Sequence, residues 1–229
     1  MANATCQTSI DLCALRVARL NASGSPHSGS TNGYVTDAAI KLGIGVTLST
    51  GDDFEQKNGC GDICSTFKQP DKIKRLELTM DLCQLDAELL SLLTGAARIT
   101  SGSTTVGMQY PAVTGADPDP VCIEAWSKAW DGGSQATPSI LSNAAAYVHW
   151  VFPFTRWAQD TQTVEHALLV TPVKGTGEEN TEITANGPFD DWPAYVQAAG
   201  GITRIGGWFL DATIPSATCG FIPVTSLAS

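Results

Sequence analysis

"IKLGIGVTLSTGDDFEQKNGCGDICSTFKQPDKIKRLELTMDLC", residues 40–83, decides the fold because it alternates at both ends and not in the middle. At its start Ile40, Leu42, Ile44, Val46 and Leu48 fall on one face, with Lys41, Gly43, Gly45, Thr47 and Ser49 on the other. At its end Leu76, Leu78, Met80 and Leu82 alternate with Arg75, Glu77, Thr79, Asp81 and Cys83. Successive side chains of a strand point to opposite faces, so this period predicts two half-buried strands in a sheet with one apolar and one polar face. Thr50–Lys72, between them, lacks the period. Structureless connections above about 12–15 residues are uncommon in compact domains unless they are functional or disordered. Phe54, Ile63 and Phe67 stand here beside charged residues, a composition suited to ordering against another surface.

The centre of this stretch, "KNGCGDIC" (Lys57–Cys64), has the look of a metal clip. Structural zinc sites draw four ligands from closely spaced pairs, most often C-x2-C twice. Cys60 and Cys64 are instead C-x3-C, Cys83 and Cys122 stand singly on predicted strands, and the nearest histidine in sequence is His27. Thiols that fill gaps or sit in a loop are the simpler reading, with a Cys60–Cys64 disulfide closing the tip as a lesser one. The seven cysteines (6, 13, 60, 64, 83, 122, 219) are odd in number and scattered. They suggest assembly in reducing cytoplasm, with thiols acting mostly as small buried hydrophobes.

A chain of 229 residues can bury a core without staples. With only 16% charged residues and 22 glycines, its composition favours β-structure in a single domain spanning 1–229. The start "MANATCQTSIDLC" lacks the basic and apolar regions of a signal peptide, and no run approaches a membrane span. The net charge of −10 is uneven: residues 1–76 sum to +1 and residues 77–229 to −11. Such an acidic excess argues against gripping phosphates, because that binding is driven by Lys and Arg displacing counterions. It leaves open a protein that lets nucleic acid pass without sticking. The basic cluster Lys68, Lys72, Lys74 and Arg75 lacks interleaved aromatics. It suits a contact with an acidic surface of another copy, or a strand edge guarded by lysines.

Further strands are expected at Leu12–Leu20, Val121–Trp126, Ala146–Phe154, Val164–Thr171, Thr203–Ala212 and Cys219–Val224. Long connections are expected at Asn21–Gly33, Gly115–Pro120 and Val173–Pro193. "LDAELLSLLTG" predicts one amphipathic helix over Ala87–Thr94, with Asp86 as N-cap, Glu88 in the first turn and Gly95 at C′. Leu85 and Leu90 are placed to form a hydrophobic staple. The expected fold is mainly β: a β-sandwich or open barrel of two packed sheets with one short helix and long inter-strand loops.

Catalytic signatures are missing. There is no H-E-x-x-H, G-x-S-x-G or P-loop, and Gly43 and Gly45 lack the third glycine of a dinucleotide fingerprint. His149 and His166 lie in strand-like runs as structural residues. The carboxylate pairs Asp52–Asp53, Glu178–Glu179 and Asp190–Asp191 are expected on solvated faces, since a glycosidase pair is defined by geometry that sequence does not carry. Trp126, Trp150, Trp157 and Trp208 sit in apolar runs where core packing is the default. The chain is therefore not expected to be an enzyme, and no catalytic residue, metal ligand or cofactor is assigned.

The order of features carries a resemblance. "ALRVARLNASGSP", then "NGYVTDAAIKLGIGVTLSTGDDFEQKNGCGDIC", then "DKIKRLELTMDLCQLDAELLSLLTG" resembles the major tail protein, or tail tube protein, of long-tailed phages of actinobacteria. The similarity covers roughly residues 12–95 and returns in "NGPFDDWP" (Asn186–Pro193) and "GWFLDATIPSATCGFIPV". It implies β-sandwich or barrel-like subunits forming six-membered rings that stack into a hollow tube, through which genomic DNA passes without sequence-specific binding. Thr50–Lys72 would then be an arm reaching the next ring, with assembly contacts at Asp52, Asp53, Phe54, Glu55, Lys57, Cys60, Asp62, Ile63, Phe67 and Lys68. Candidate channel-facing residues are Lys41, Thr47, Lys74, Arg75, Glu77, Thr79 and Asp81, with Lys41, Lys74 and Arg75 sharing the polar positions of the two acids. Acidic groups are nevertheless expected to outnumber basic ones along the channel. The implied partners are further copies of the chain and the tape measure, tail terminator and tail-tip proteins. The implied location is the virion tail tube, assembled in host cytoplasm, with no membrane insertion. The competing readings are a carbohydrate-binding β-sandwich module of a virion, for decoration or receptor binding, and a hydrolase using a carboxylate pair.

Overall fold

The computed structural model describes residues 7–111, 117–131, 147–162, 170–216 and 219–224. Cys6, His166, Gly115 and most of the strand expected over Val164–Thr171 lie outside them. The described chain is mainly β. Its strands are β1 (Gln7–Arg19), β2 (Gly29–Thr36), β3 (Ala39–Ser49), β4 (Asp53–Lys57), β5 (Ile63–Lys68) and β6 (Lys72–Leu82). After helix α1 (Ala87–Thr94) come β7 (Ala97–Ser101), β8 (Thr104–Gln109), β9 (Val121–Asp131), β10 (Tyr147–Gln159) and β11 (Thr171–Gly177). Helix α2 (Ala194–Ala198), β12 (Gly207–Asp211) and β13 (Gly220–Val224) complete it.

The strand pairings are antiparallel. One sheet runs β13-β2-β1-β9-β10-β11-β6-β3, with β12 also paired to β10, and β4-β5 and β7-β8 form separate two-stranded ribbons. β1 and β3 approach each other although four strands separate them along this path, so the sheet curls. Inside the curl, Leu15 and Val17 of β1, Ile123 of β9, Phe152 and Trp157 of β10 and Leu76, Leu78, Met80 and Leu82 of β6 pack with Leu89, Leu90, Leu92 and Leu93 of α1. On the opposite face Ala18, Cys122 and Val151 pack with Ile183, Trp192, Val196 and Phe209. These last four come from the stretch that follows β11.

α1 forms where its caps dictate. The Asp86 carboxylate accepts from the backbone N–H groups of Glu88 and Leu89 at 3.1 and 3.0 Å, satisfying two donors that a helix start leaves free. Gly95 ends the helix in the left-handed region, φ 70, with its N–H donated to Ser91 O. Leu85, however, is 62% exposed rather than shielded in the expected staple with Leu90.

Several expectations are corrected. A second helix, α2, covers the outer face. The stretch Asn21–Gly33, expected as connection, contains the start of β2, and Val173–Pro193 contains most of β11. Thr50–Lys72 is not structureless, since β4 and β5 occupy it. Of the described cysteines only Cys122 is buried: Cys60, Cys64, Cys83 and Cys219 are exposed, three of them in turns or loops that offer no core, and Cys13 is half-buried. Trp208 is 58% exposed, on β12, a short strand that pairs with β10 alone among the described strands.

Candidate assembly surface

The arm is a hairpin. Phe54 pairs with Phe67, Asp53 with Lys68, Glu55 with Thr66 and Gln56 with Ser65; Lys57 then meets Ile63, which leaves Cys64 as the extra residue of a bulge. Asn58 builds the tip. Its Oδ1 accepts from the N–H groups of Cys60 and Asp62 at 3.0 and 2.9 Å, while Gly61 takes φ +90, which a residue with a Cβ rarely adopts. At the root a Cβ on Gly51 would lie 2.0 Å from Gln69 O, so only glycine lets the two chains close there. Every residue of β4 and β5 is exposed. The rings of Phe54 and Phe67 stack at 6.5 Å on one side of the ribbon, and Lys57 Nζ reaches Glu55 Oε1 at 3.0 Å. The structure thus gathers all ten proposed arm residues on a single projection.

At the base of the arm β3 and β6 pair with two irregularities. Leu42, Ile44 and Val46 lie opposite Met80, Leu78 and Leu76, while Lys41, Gly43, Gly45 and Thr47 lie opposite Asp81, Thr79, Glu77 and Arg75. The division into faces holds, and burial follows it on β6 but not on β3. Ile44, Val46 and Leu48 are exposed because β3 is the last strand of the sheet and none of the described residues covers its outer half. Ile40 is the extra residue between Ala39 and Lys41, and so leaves the apolar row. Lys74 is likewise extra: Thr47 pairs with Arg75 and Leu48 with Ile73. It therefore does not share a paired polar position with Arg75. The bulge instead keeps Ile73 beside Leu48 and prolongs an exposed apolar stripe toward the arm.

The polar face of this region is of mixed sign. Through β11 and β10 the row Gly45–Glu77–Thr176–Arg156 and the row Gly43–Thr79–Lys174–Ala158 run across it. Lys41, Arg75, Arg156 and Lys174 stand there with Glu77 and Asp81, and Lys174 pairs with Asp160 at 2.8 Å, so the face carries both signs. Distant strands add the extra bases, which local sequence did not reveal. Glu77 accepts from Thr47 Oγ1 at 2.8 Å and lies 3.6 Å from Arg75.

Sequence reasoning missed a groove of about 930 Å³ between the start of α1 and the β7–β8 ribbon. Leu85, Val106 and Tyr110 on its rim are 62, 61 and 68% exposed. Among the described residues its lining includes two carboxylates, Asp86 and Glu88, and no lysine or arginine. Glu88 accepts from Thr105 Oγ1 at 2.9 Å, which ties the ribbon to the helix. The signal was there: Gly102 and Ser103 form a two-residue connection between short runs, with Gly102 at φ 63, a hairpin signature.

A buried ionic cluster lies on the outer face. Arg16 Nε donates to Glu124 Oε2 at 2.6 Å, and its two terminal nitrogens grip Asp191 at 2.5 and 2.8 Å. Phe189 lies 4.0 Å from the guanidinium, and Trp192 Nε1 donates to Glu124 Oε1 at 2.6 Å. Asp190 and Asp191 are both exposed, as expected of an acidic pair, but Asp191 at the same time grips Arg16. His149 stacks on Trp126 at 3.9 Å, with Nδ1 3.2 Å from Asp211 and Nε2 3.5 Å from Glu124. Burial would raise the Glu124 carboxyl, but the Arg16 charge and the His149 contact outweigh it and hold it at about 2. Arg16, Glu124 and His149 are shielded from solvent while Asp191 stays half-exposed, so the cluster works as a clasp between the sheet and the stretch over it. Among the described residues no group of three or more His, Cys, Asp or Glu is placed to hold a metal, and no helix is long and apolar enough to cross a membrane.

Trp150 and Trp208 lie 6.3 Å apart with their planes at 48°, so this pair does not form a flat platform. No family model matches the chain, and no curated protein shows significant similarity to it.

Proposed function

We propose that this chain is a structural subunit that self-assembles, by its arm, into stacked rings forming the hollow tail tube of a phage. One observation carries the reading: a well-formed hairpin with a stacked phenylalanine pair projects from the sheet with every residue in solvent. Large apolar side chains grouped on such a projection mark a binding surface, because nothing else repays exposing them. The exposed stripe of Ile44, Val46, Leu48 and Ile73 at its root extends that surface. The finer fold belongs to the same proposal: the curled sheet acts as a sandwich or open barrel about α1, and its free edge strands β3 and β13 are joints between copies. On this reading the face bearing Lys41, Arg75, Glu77, Thr79 and Asp81 lines a channel of mixed sign, in which clustered charge of neither sign traps passing DNA.

Electron microscopy of the concentrated protein tests this. Rings or tubes are expected, and replacement of Asp52–Gln69 by a short turn abolishes them while the melting temperature stays put. A protein that remains monomeric at millimolar concentration, or an armless variant that still forms tubes, overturns the proposal.

A further inference from the structure

We propose that the groove between the start of α1 and the β7–β8 ribbon is the seat for the arm of a second copy. This rests on the tube reading and adds to it the receiving surface. The arm does not fold back on its own body, since β4 and β5 are exposed throughout, so its apolar pair Phe54 and Phe67 lacks an intramolecular seat. The groove is the complementary surface. Its rim of Leu85, Val106 and Tyr110 is apolar and open, and its volume, about 930 Å³, lies within the range of cavities that enclose a ligand of two or three rings.

Charge points the same way. Among the described residues the charged side chains lining the groove are Asp86 and Glu88, both acidic. At the arm's root Lys68, Lys72 and Lys74 are exposed, and none makes an ion pair among the described residues, where Arg75 takes Glu77 and Lys57 takes Glu55. An apolar pair flanked by unpaired lysines matches a groove with an apolar rim whose charged lining, among the described residues, is two carboxylates, and opposite potentials of this kind fix the register of a contact. The two surfaces differ, so the contact is head-to-tail and propagates from copy to copy. Each contact can be weak, because a ring presents several at once.

Two variants and one cross-link test the seat in the full-length chain. Val106→Glu and Leu85→Glu change exposed side chains, so the melting temperature is expected to hold while the protein concentration needed for polymerisation rises at least tenfold. In a background with the exposed cysteines changed to serine, a Phe67→Cys chain mixed with a tagged Val106→Cys chain should yield the mixed dimer with a short bis-maleimide. Polymerisation of both glutamate variants at the wild-type concentration, without a mixed dimer, overturns the seat and leaves the tube reading standing. Loss of polymerisation without the mixed dimer overturns the arm as occupant. A wild-type chain that neither polymerises nor cross-links overturns both.

Discussion

Arg16 and Asp191 stand 175 residues apart in sequence and face each other through two hydrogen bonds of 2.5 and 2.8 Å. Arg16 belongs to β1 and Asp191 to the stretch covering the outer face, so this pair fastens the cover to the sheet. The two carboxylates on Arg16 are not equivalent. Glu124 is fully buried, whereas the Asp191 side chain is half-exposed. Arg16→Met would strand Glu124 without its countercharge, and a loss of about 3–5 kcal/mol is expected. Asp191→Asn, at the wet end, is expected to cost about 1 kcal/mol. Urea unfolding of both variants checks the order, and equal losses would refute the division.

Glu124 also sets an acid limit. Its folded-state carboxyl is depressed to about 2, below the ordinary glutamate value, so its contribution to stability is complete above the unfolded value of about 4.3. That contribution falls away as pH drops through about 2. The Glu124→Gln variant should therefore be less stable than wild type at pH 6, with the gap closing between about pH 4 and pH 2. Chemical unfolding over that range measures the gap.

Asp86 serves two partners at once. It caps α1 and also accepts from the Tyr34 hydroxyl at 2.5 Å. Burial and this carboxylate together push the Tyr34 phenol up from its usual value. Asp86→Ala removes the cap, worth about 1 kcal/mol, and strands a phenol worth a further 1–3 kcal/mol. Asp86→Asn keeps an accepting oxygen for the cap and should recover at least half of that. Thermal melts of the two variants give the ratio.

The arm should exchange its amides independently of the body. Few apolar contacts and full exposure place β4 and β5 at the low end of local stability, while β1, β9 and β10 lie at the high end. Hydrogen exchange in the free subunit is expected to be fast over Asp53–Lys68, with protection appearing on assembly. Equal protection in both states would contradict an arm that orders against a neighbour.

Local chemistry was legible in the sequence; distant partnership was not. Asp86, the leucines after it and Gly95 specified α1 to the residue, because caps and helical spacing act within one turn. The alternation in β3 and β6 assigned the correct faces. On β6 burial followed, but on β3 it did not, since period two says which side chains lie together and not whether anything covers them. The bulges at Ile40 and Lys74 hid for a related reason: an added residue shows only when the opposite strand is known. Asp190 and Asp191 looked like any acidic pair because Arg16 lies on the first strand. The arm itself was marked by its length, but not its hairpin, since Asn58 forms the tip through its side chain and the flanking residues do not alternate.

The pinch at Gly51 and the free-standing ladder beyond it leave the arm's reach adjustable. Because β4 and β5 are exposed along their whole length, two residues at a time could be added to each strand without disturbing the core, each such step advancing the tip by about 7 Å. A single unmatched residue would instead roll the phenylalanines to the reverse side. Spacing between copies can thus drift in evolution by fixed increments, while the direction of grip stays the same.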